Sequence, residues 1–303
     1  MNLSGRVVVV TGSGRGLGRA YAEALGAAGA SVVVNDVEQG IVDEAVQAVR
    51  AAGGNAVGVV AAVGSTESAE ALVSAAVDSF GRLDVMVTNA GILRDRVLWK
   101  MTDEEFDSVV DVHLRGTFTC ARAAAVQMRE QGDGGSIILI SSPAGQRGNF
   151  GQTNYAAAKA GIVAMARTWA MELARSGVAV NAVVPIAATE MTKTMPAFGP
   201  VIEAAEASGE PLPEWMRKGE GLGTVEDVAS LIVFLASSAA AGITGQAIGI
   251  GGDKLALWLH PQEKSAAFHD GGWGADDIAA SWSSGVGADP ETFGIPAPKV
   301  PQS

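Results

Sequence analysis

Tyr155 and Lys159 stand four residues apart in Tyr155-Ala156-Ala157-Ala158-Lys159, a spacing that puts both side chains on one face of a helix. An ammonium beside a phenol favours the phenolate and draws its pKa down from about 10 toward the working pH, where a general acid/base is most effective. Ser142 precedes Tyr155 by thirteen residues and comes just after the run 136–140, which reads as a strand. Its hydroxyl is thereby expected at the carboxyl end of a sheet, able to hydrogen-bond the same substrate oxygen as the tyrosine. The chemistry these three groups suit is oxidation of an alcohol: tyrosinate takes the hydroxyl proton while a hydride leaves for an acceptor. A Tyr and a Lys four apart also occur on ordinary surface helices, so the reading depends on what stands in register with them.

A hydride acceptor requires a binding site, and the first strand supplies a candidate. Thr11-Gly12-Ser13-Gly14-Arg15-Gly16-Leu17-Gly18 lies between the run Val7-Val8-Val9-Val10 and an Ala-rich helical pattern. Glycines let backbone approach a pyrophosphate, and a helix N-terminus offers N–H donors and a positive dipole end. The alternative is an ordinary Gly-rich turn. No Gly-Lys-Ser/Thr follows, which excludes a Walker-type site. Eighteen residues beyond Gly18 the second strand ends in Asn35-Asp36. An acid there accepts the ribose hydroxyls of NAD and repels the 2′-phosphate of NADP; otherwise Asp36 only caps a turn. Arg15 is within reach of a 2′-phosphate, but the acid's repulsion is the stronger cue, and NAD is the expected cofactor.

The elements that must position these residues alternate. Strands are expected over 7–10, 30–34, 56–60, 85–88, 136–140, 179–184 and 247–250, with helices over 17–28, 41–52, 68–80, 103–130, 154–176 and 225–235. Repeated strand-then-helix units imply a doubly wound α/β fold, a parallel sheet with helices on both faces. The chain has 303 residues, 48% hydrophobic, enough for one large domain. Its apolar runs fall far short of the roughly 20 residues of a membrane span, and the start lacks the features of a signal peptide. One cysteine, Cys120, forbids an internal disulfide, and three scattered histidines make no zinc cluster. A cytoplasmic enzyme without metal is the simplest expectation. The net charge of −12 argues against nucleic acid and anionic membranes as partners, so an anionic ligand must be held by local donors.

The order and spacing of the Gly motif, Asp84, Asn89-Ala90-Gly91, Ser142, Tyr155/Lys159 and Asn181-Ala182-Val183-Val184-Pro185 resemble the short-chain dehydrogenase/reductase family. The resemblance covers about 3–252. It implies a single Rossmann-like domain with about seven parallel strands, assembled as a tetramer or dimer, and a cofactor site that includes Gly12, Arg15, Gly16, Leu17, Gly18, Asp36, Ala62, Val63, Asn89, Ala90, Gly91, Tyr155, Lys159, Pro185, Ile186 and Thr189. Lys159 would also bind the nicotinamide ribose. Three positions depart from the family. His113 replaces the asparagine of the fourth catalytic position, either anchoring a water as that asparagine does or serving as a satisfied helix histidine. Ala62 stands where an aspartate often contacts adenine, leaving the backbone near Val63. Ile186 replaces the glycine after Pro185. The stretches 89–96, 112–118 and 148–155 are similar to the (3R)-hydroxyacyl-CoA dehydrogenase domain of peroxisomal multifunctional enzymes and to relatives that oxidise 17β-hydroxysteroids. Other readings stay open: a dehydrogenase of cyclic or aromatic alcohols, or a dinucleotide-binding sensor without activity.

Two stretches break the rhythm. Residues 195–223 hold four prolines and several glycines around a possible short helix, and are either a disordered insertion or a cover for a hydrophobic substrate, with Trp215 as a substrate-contacting residue. Residues 253–303 form a C-terminal extension beyond the catalytic domain 1–252; its tryptophans 258, 273 and 282 are expected to pack, and its proline-rich end to be extended. Small and apolar residues nearly all around the helix that begins near Tyr155, from Ala156 to Met171, point to burial in a homo-oligomer interface.

Overall fold

The computed structural model describes residues 1–193, 195–296 and 298. In chain order the elements are β1 (Val7–Val10), α1 (Gly16–Ala27), β2 (Ser31–Asp36), α2 (Gln39–Ala51), β3 (Asn55–Val60), α3 (Thr66–Phe80), β4 (Val85–Thr88), α4 (Asp103–Val110), a π-helical turn Asp111–Arg115, α5 (Gly116–Gln131), β5 (Gly135–Ile140), α6 (Pro143–Arg147) and α7 (Thr153–Glu172). There follow β6 (Val178–Pro185), α8 (Glu190–Lys193), α9 (Gly199–Ser208), a second π-helical turn Trp215–Glu220, α10 (Val225–Leu235), β7 (Ala247–Gly251), β8 (Lys254–Leu257) and α11 (Ala275–Ser281).

The strands form one sheet in the order β3-β2-β1-β4-β5-β6-β7-β8. Connections run one way from β1 to β3 and the other way from β4 onward, so the strand order reverses between β1 and β4, where ligands of such sheets bind. The valines of β1 are buried on both faces, as a central parallel strand requires. Val8 and Val10 enter a core with Tyr21 and Leu25 of α1 and Val228 and Ile232 of α10. Val7 and Val9 enter the opposite core with Leu72 of α3, Met128 of α5 and Ile162 of α7. Asp84 joins the layers at the amino ends, its carboxylate accepting from the Val7 N–H at 2.9 Å and pairing with Arg82 at 2.7 Å.

The structure adds detail to several expectations and departs from others. The sheet has eight strands, not seven, because Lys254–Leu257 turns back antiparallel onto β7; Gly252, at φ +54°, allows the reversal. The first residues of the 253–303 stretch are therefore paired with the sheet. The helix expected over 103–130 is broken by the π turn at Asp111–Arg115. The 195–223 stretch is not a disordered insertion: Phe198, Ile202, Leu212, Met216 and Leu222 form a small core of their own. In the extension, Trp258 packs against the main core, but residues 261–280 are exposed throughout, Phe268 at 93%. The segment returns to the body at Arg147, whose guanidinium donates to the Gly294 carbonyl at 2.8 Å and the Thr292 hydroxyl at 2.8 Å. The proline-rich end, at 297 and 299–303, lies outside the described residues. Among the described residues no helix is long and apolar enough to cross a membrane.

Candidate active site

The turn between β1 and α1 is built to hold backbone against an anion. Arg15 at its N-cap makes no side-chain cap, and the first turn of α1 carries no acid. Its N–H groups and dipole are thus not taken up by a side chain of the chain itself. The surrounding glycines are required by packing: a Cβ at Gly12 would meet the Ala90 Cα at 2.7 Å, and one at Gly18 would meet the Gly12 carbonyl at 2.1 Å. At Gly16, φ +55°, the space outside is open. This cradle fits a dinucleotide pyrophosphate.

Neighbouring strands lock the cradle. Asn89 Nδ2 donates to the carbonyls of Thr11 and Gly12 at 3.1 and 2.9 Å, and the Thr11 hydroxyl accepts from the N–H groups of Asn89 and Ala90. Asn35 is buried; its Nδ2 donates to the Val59 and Ala61 carbonyls at 3.1 and 2.9 Å, and its Oδ1 faces the Gly12 N–H at 3.4 Å. Asp36 follows at the end of β2, its carboxylate accepting from Gly14 and Val37 N–H groups at 3.2 and 2.8 Å. Arg15 is paired with Glu38 at 3.1 Å. Leu17 packs at the edge of the core; Ala62 is exposed, and Val63 packs against Gly116. On the other flank, Ile186 N–H donates to the Ile250 carbonyl after Pro185, and Thr189 N–H donates to the Thr192 hydroxyl.

Ser142, Tyr155, Lys159 and His113 come together at the carboxyl ends of β4 and β5. Ser142 caps the short α6, its Oγ accepting from the Ala144 N–H. Tyr155 and Lys159 project from the first turns of α7, with Lys159 Nζ 5.6 Å from the tyrosine ring centre. Lys159 is 3% exposed and donates to the Ile140 carbonyl at 2.6 Å, while Ser141 Oγ donates to the Lys159 carbonyl at 2.8 Å. Burial pulls the lysine down to about 7. Burial also raises the Tyr155 phenol, opposed by the neighbouring Ser142 hydroxyl and assisted by the Asp95 charge. The expected depression of the tyrosine by its lysine is therefore not found in the protein alone, because desolvation outweighs a cation that is itself desolvated.

His113 sits in the π turn, edge-on to Tyr155 with ring centres 5.1 Å apart. Its Nε2 lies 3.0 Å from the Ile92 N–H and 2.7 Å from the Ile92 carbonyl. The ring covers Gly91 so closely that a Cβ there would be 2.2 Å from His113 Cε1. Nδ1 has no partner among the described residues. Burial first, then the Lys159 charge, lowers its pKa to about 3, so the ring is neutral.

Trp215 is not brought to this cluster by any described contact; it stacks on Phe198, ring centres 6.3 Å apart, within the 195–223 core. Sequence reading missed Asn35 and Thr11 as organisers of the cradle and Asn154, which is wholly buried beside Tyr155. Asn35 was visible only as the neighbour of Asp36, and the polar residue in an otherwise apolar strand was its one signal.

Comparison with known proteins agrees with this geometry. A family described as Enoyl-(Acyl carrier protein) reductase matches residues 12–252. A hydroxyacyl-CoA dehydrogenase of Mycobacterium tuberculosis is 40% identical over 96% of this chain and 92% of its own length. The mouse peroxisomal multifunctional enzyme type 2 is 46% identical over 64% of this chain and 27% of the larger enzyme. The crystal structure of a short chain dehydrogenase from Mycobacterium avium superposes with a TM-score of 0.80 at 34% identity, covering 97% of this chain and 99% of that one. Fold and site define a dinucleotide-dependent oxidoreductase of secondary alcohols and ketones. The chain belongs to the short-chain dehydrogenase/reductase family.

Proposed function

We propose that the chain oxidises the 3-hydroxyl of an acyl-CoA thioester with NAD. The observation that carries the reading is the convergence of Ser142, Tyr155 and Lys159 at the carboxyl end of the sheet, beside a helix N-terminus without a side-chain cap. The acyl-CoA assignment rests on the similarity to the M. tuberculosis hydroxyacyl-CoA dehydrogenase, which extends across nearly the whole chain, the C-terminal extension included.

Gly12, Gly16, Leu17 and Gly18 would hold the pyrophosphate, Asp36 the adenine ribose, Asn89, Ala90 and Gly91 the cofactor's middle, and Pro185, Ile186 and Thr189 its nicotinamide end. Val63 backbone and Ala62 would border the adenine. Two features favour NAD over NADP: Asp36 presents negative charge where a 2′-phosphate would lie, and Arg15 is already engaged by Glu38. When bound, the nicotinamide ring accepts the hydride and adds positive charge beside the tyrosine. Ser142 Oγ would hydrogen-bond the substrate oxygen and Tyr155 Oη would remove its proton, while Lys159 Nζ, with a pKa near neutrality, is the neighbouring group able to exchange a proton with the site. His113 holds Ile92 and thereby the loop that leaves β4, a positioning duty that fits its neutral, buried ring.

The 195–223 segment acts as the cover over a hydrophobic acyl chain, with Phe198 and Trp215 giving it an internal frame. The protein works as a homo-oligomer: Phe118 and Met171 on the outer faces of α5 and α7, and the exposed apolar residues of the extension, are surfaces a second copy would cover. The test is NADH formation from a panel of 3-hydroxyacyl-CoAs, hydroxysteroids and cyclic alcohols, with NADP as a parallel arm. Turnover confined to steroids or cyclic alcohols would refute the substrate, and equal use of NADP would refute the cofactor.

A further inference from the structure

Asn154 immediately precedes the tyrosine and has no role in the reaction as assigned so far. It is 0% exposed, and every polar hydrogen and one oxygen of its amide is used within the protein. Nδ2 donates to the Arg94 carbonyl at 3.1 Å and to the Glu105 carbonyl at 2.9 Å; Oδ1 accepts the N–H of Tyr155 at 2.8 Å. Three segments far apart in sequence thus meet at one carboxamide: the loop after β4, the first turn of α4, and the start of α7.

Helix geometry makes the third bond consequential. The first N–H groups of a helix have no intrahelical acceptor, and Gln152, the N-cap of α7, contributes no side-chain cap. The unmet N–H at the tyrosine is served by Asn154 itself, so the backbone of Tyr155 is tied to the two walls that Asn154 grips. Parallel links strengthen the same seam. Arg96 N–H donates to the Gly151 carbonyl at 2.7 Å, Gln152 Nε2 donates to Asp95 Oδ2 at 2.8 Å, and Arg96 pairs with Glu105 at 3.0 Å. At the other end of that loop His113 holds Ile92.

We propose that Asn154 is a positioning residue: its carboxamide ties the start of α7 to the loop after β4 and to α4, and so fixes the tyrosine hydroxyl that faces the substrate oxygen beside Ser142. The inference rests on Tyr155 being the acid/base of the proposed reaction. The turn proposed to hold the pyrophosphate lies between β1 and α1 and, among the described residues, shares no hydrogen bond with Asn154, so the two functions are separable by experiment.

The experiment compares wild type, Asn154→Ala, Asn154→Ser, Asn154→Asp and Tyr155→Phe as full-length proteins. It records kcat, KM and the NAD dissociation constant, with thermal unfolding as a check on the fold. Misplacing a catalytic group by about 1 Å lowers rate on the order of 100-fold. Asn154→Ala is expected to lose kcat by roughly that factor while NAD affinity changes by less than about twofold. Asn154→Ser, which keeps one donor and one acceptor, is expected to fall between and covers the case in which the alanine variant does not fold. Asn154→Asp supplies the discriminating readout. Its carboxylate would face two carbonyl oxygens, whereas its protonated form regains one donor, so its kcat relative to wild type should climb as pH is lowered while the Asn154→Ser ratio stays flat. An unchanged kcat in folded Asn154→Ala or Asn154→Ser overturns the proposal, as does an Asn154→Asp ratio that is independent of pH. An active Tyr155→Phe enzyme overturns instead the reaction on which the proposal rests.

Discussion

Lys159→Met should make the protein more stable and leave it without turnover. Lys159 is 3% exposed, and among the described residues its ammonium donates to the Ile140 carbonyl at 2.6 Å. Burial lowers its pKa from 10.5 to about 7. At 1.36 kcal/mol per pKa unit that fall is worth roughly 5 kcal/mol. Because the folded pKa lies below the unfolded one, the unfolded chain binds more protons between them. Stability therefore rises with pH from about 7 to 10.5, and the full penalty is present below that window. Methionine fills nearly the same volume without charge, but it leaves the Ile140 carbonyl without its donor, a loss of about 1–3 kcal/mol. The net gain at about pH 6 is then roughly 2–4 kcal/mol. At about pH 10 the wild-type penalty is mostly gone and the variant should be equal or slightly weaker. Guanidinium unfolding of both proteins without cofactor, at matched concentration and at both pH values, measures this directly. Parallel curves, with the wild type the more stable at pH 6, would refute the assignment of Lys159 as a destabilised, function-bearing cation.

Three further outcomes follow from particular residues. Asp36→Ala should shift the ratio of kcat/KM for NAD over NADP toward NADP by about tenfold or more, since it removes a charge facing the 2′-phosphate; steady-state kinetics with both cofactors checks it, and an unchanged ratio would remove Asp36 from the site. His113→Asn should blunt acid unfolding: with a folded pKa of about 3 against 6.5, the wild type loses stability as pH falls below 6.5, by up to about 1.4 kcal/mol per pH unit, and the variant lacks that slope. Equal acid transitions for the two proteins would show that the ring is not the buried neutral group described. Trp215→Ala should raise KM for long acyl chains more than for short ones, because the Phe198 stack it breaks stiffens the cover and does not touch the reacting oxygen; chain-length-independent kinetics would sink the cover.

The parts legible in the sequence are those whose physical determinants are local. Val7-Val8-Val9-Val10 suits a strand buried on both faces and the Gly run after it suits a close backbone turn, and the structure has both. The same holds for Tyr155 and Lys159, whose common face follows from a four-residue spacing on α7. What stayed hidden depends on partners remote in sequence. Asn154 reads as one more polar residue after Gln152 and Thr153; only its bonds to carbonyls 49 and 60 residues away reveal a clasp. The π turn at Asp111–Arg115 leaves the helical periodicity of 103–130 nearly unchanged, so nothing in the pattern announces it. Lys254–Leu257 reads as the start of a tail because the strand-and-helix alternation is already complete at β7. Its apolar run, Leu255-Ala256-Leu257-Trp258, pairs with the sheet edge while Leu255 and Leu257 stay exposed, a placement that only the pairing with β7 reveals.

The electrostatics of the site failed for a different reason. Spacing places an ammonium beside a phenol, and from that pair alone the phenol should acidify. Spacing carries no information about how much water the pair keeps. In the structure Lys159 is almost wholly removed from solvent, so it is a weaker cation than a surface lysine, and Tyr155 is buried enough that its neutral form is favoured. The sign of the pKa shift is set by desolvation, which the fold determines through β5, α7 and the π turn that closes over them with His113. A positive charge bound beside this pair would oppose the desolvation and favour the phenolate. The oxidised nicotinamide has that charge, and the cradle that would hold it opens beside the same strand ends. If the cradle holds the dinucleotide as proposed, binding would favour the phenolate, and Tyr155 should titrate lower with NAD bound than without it.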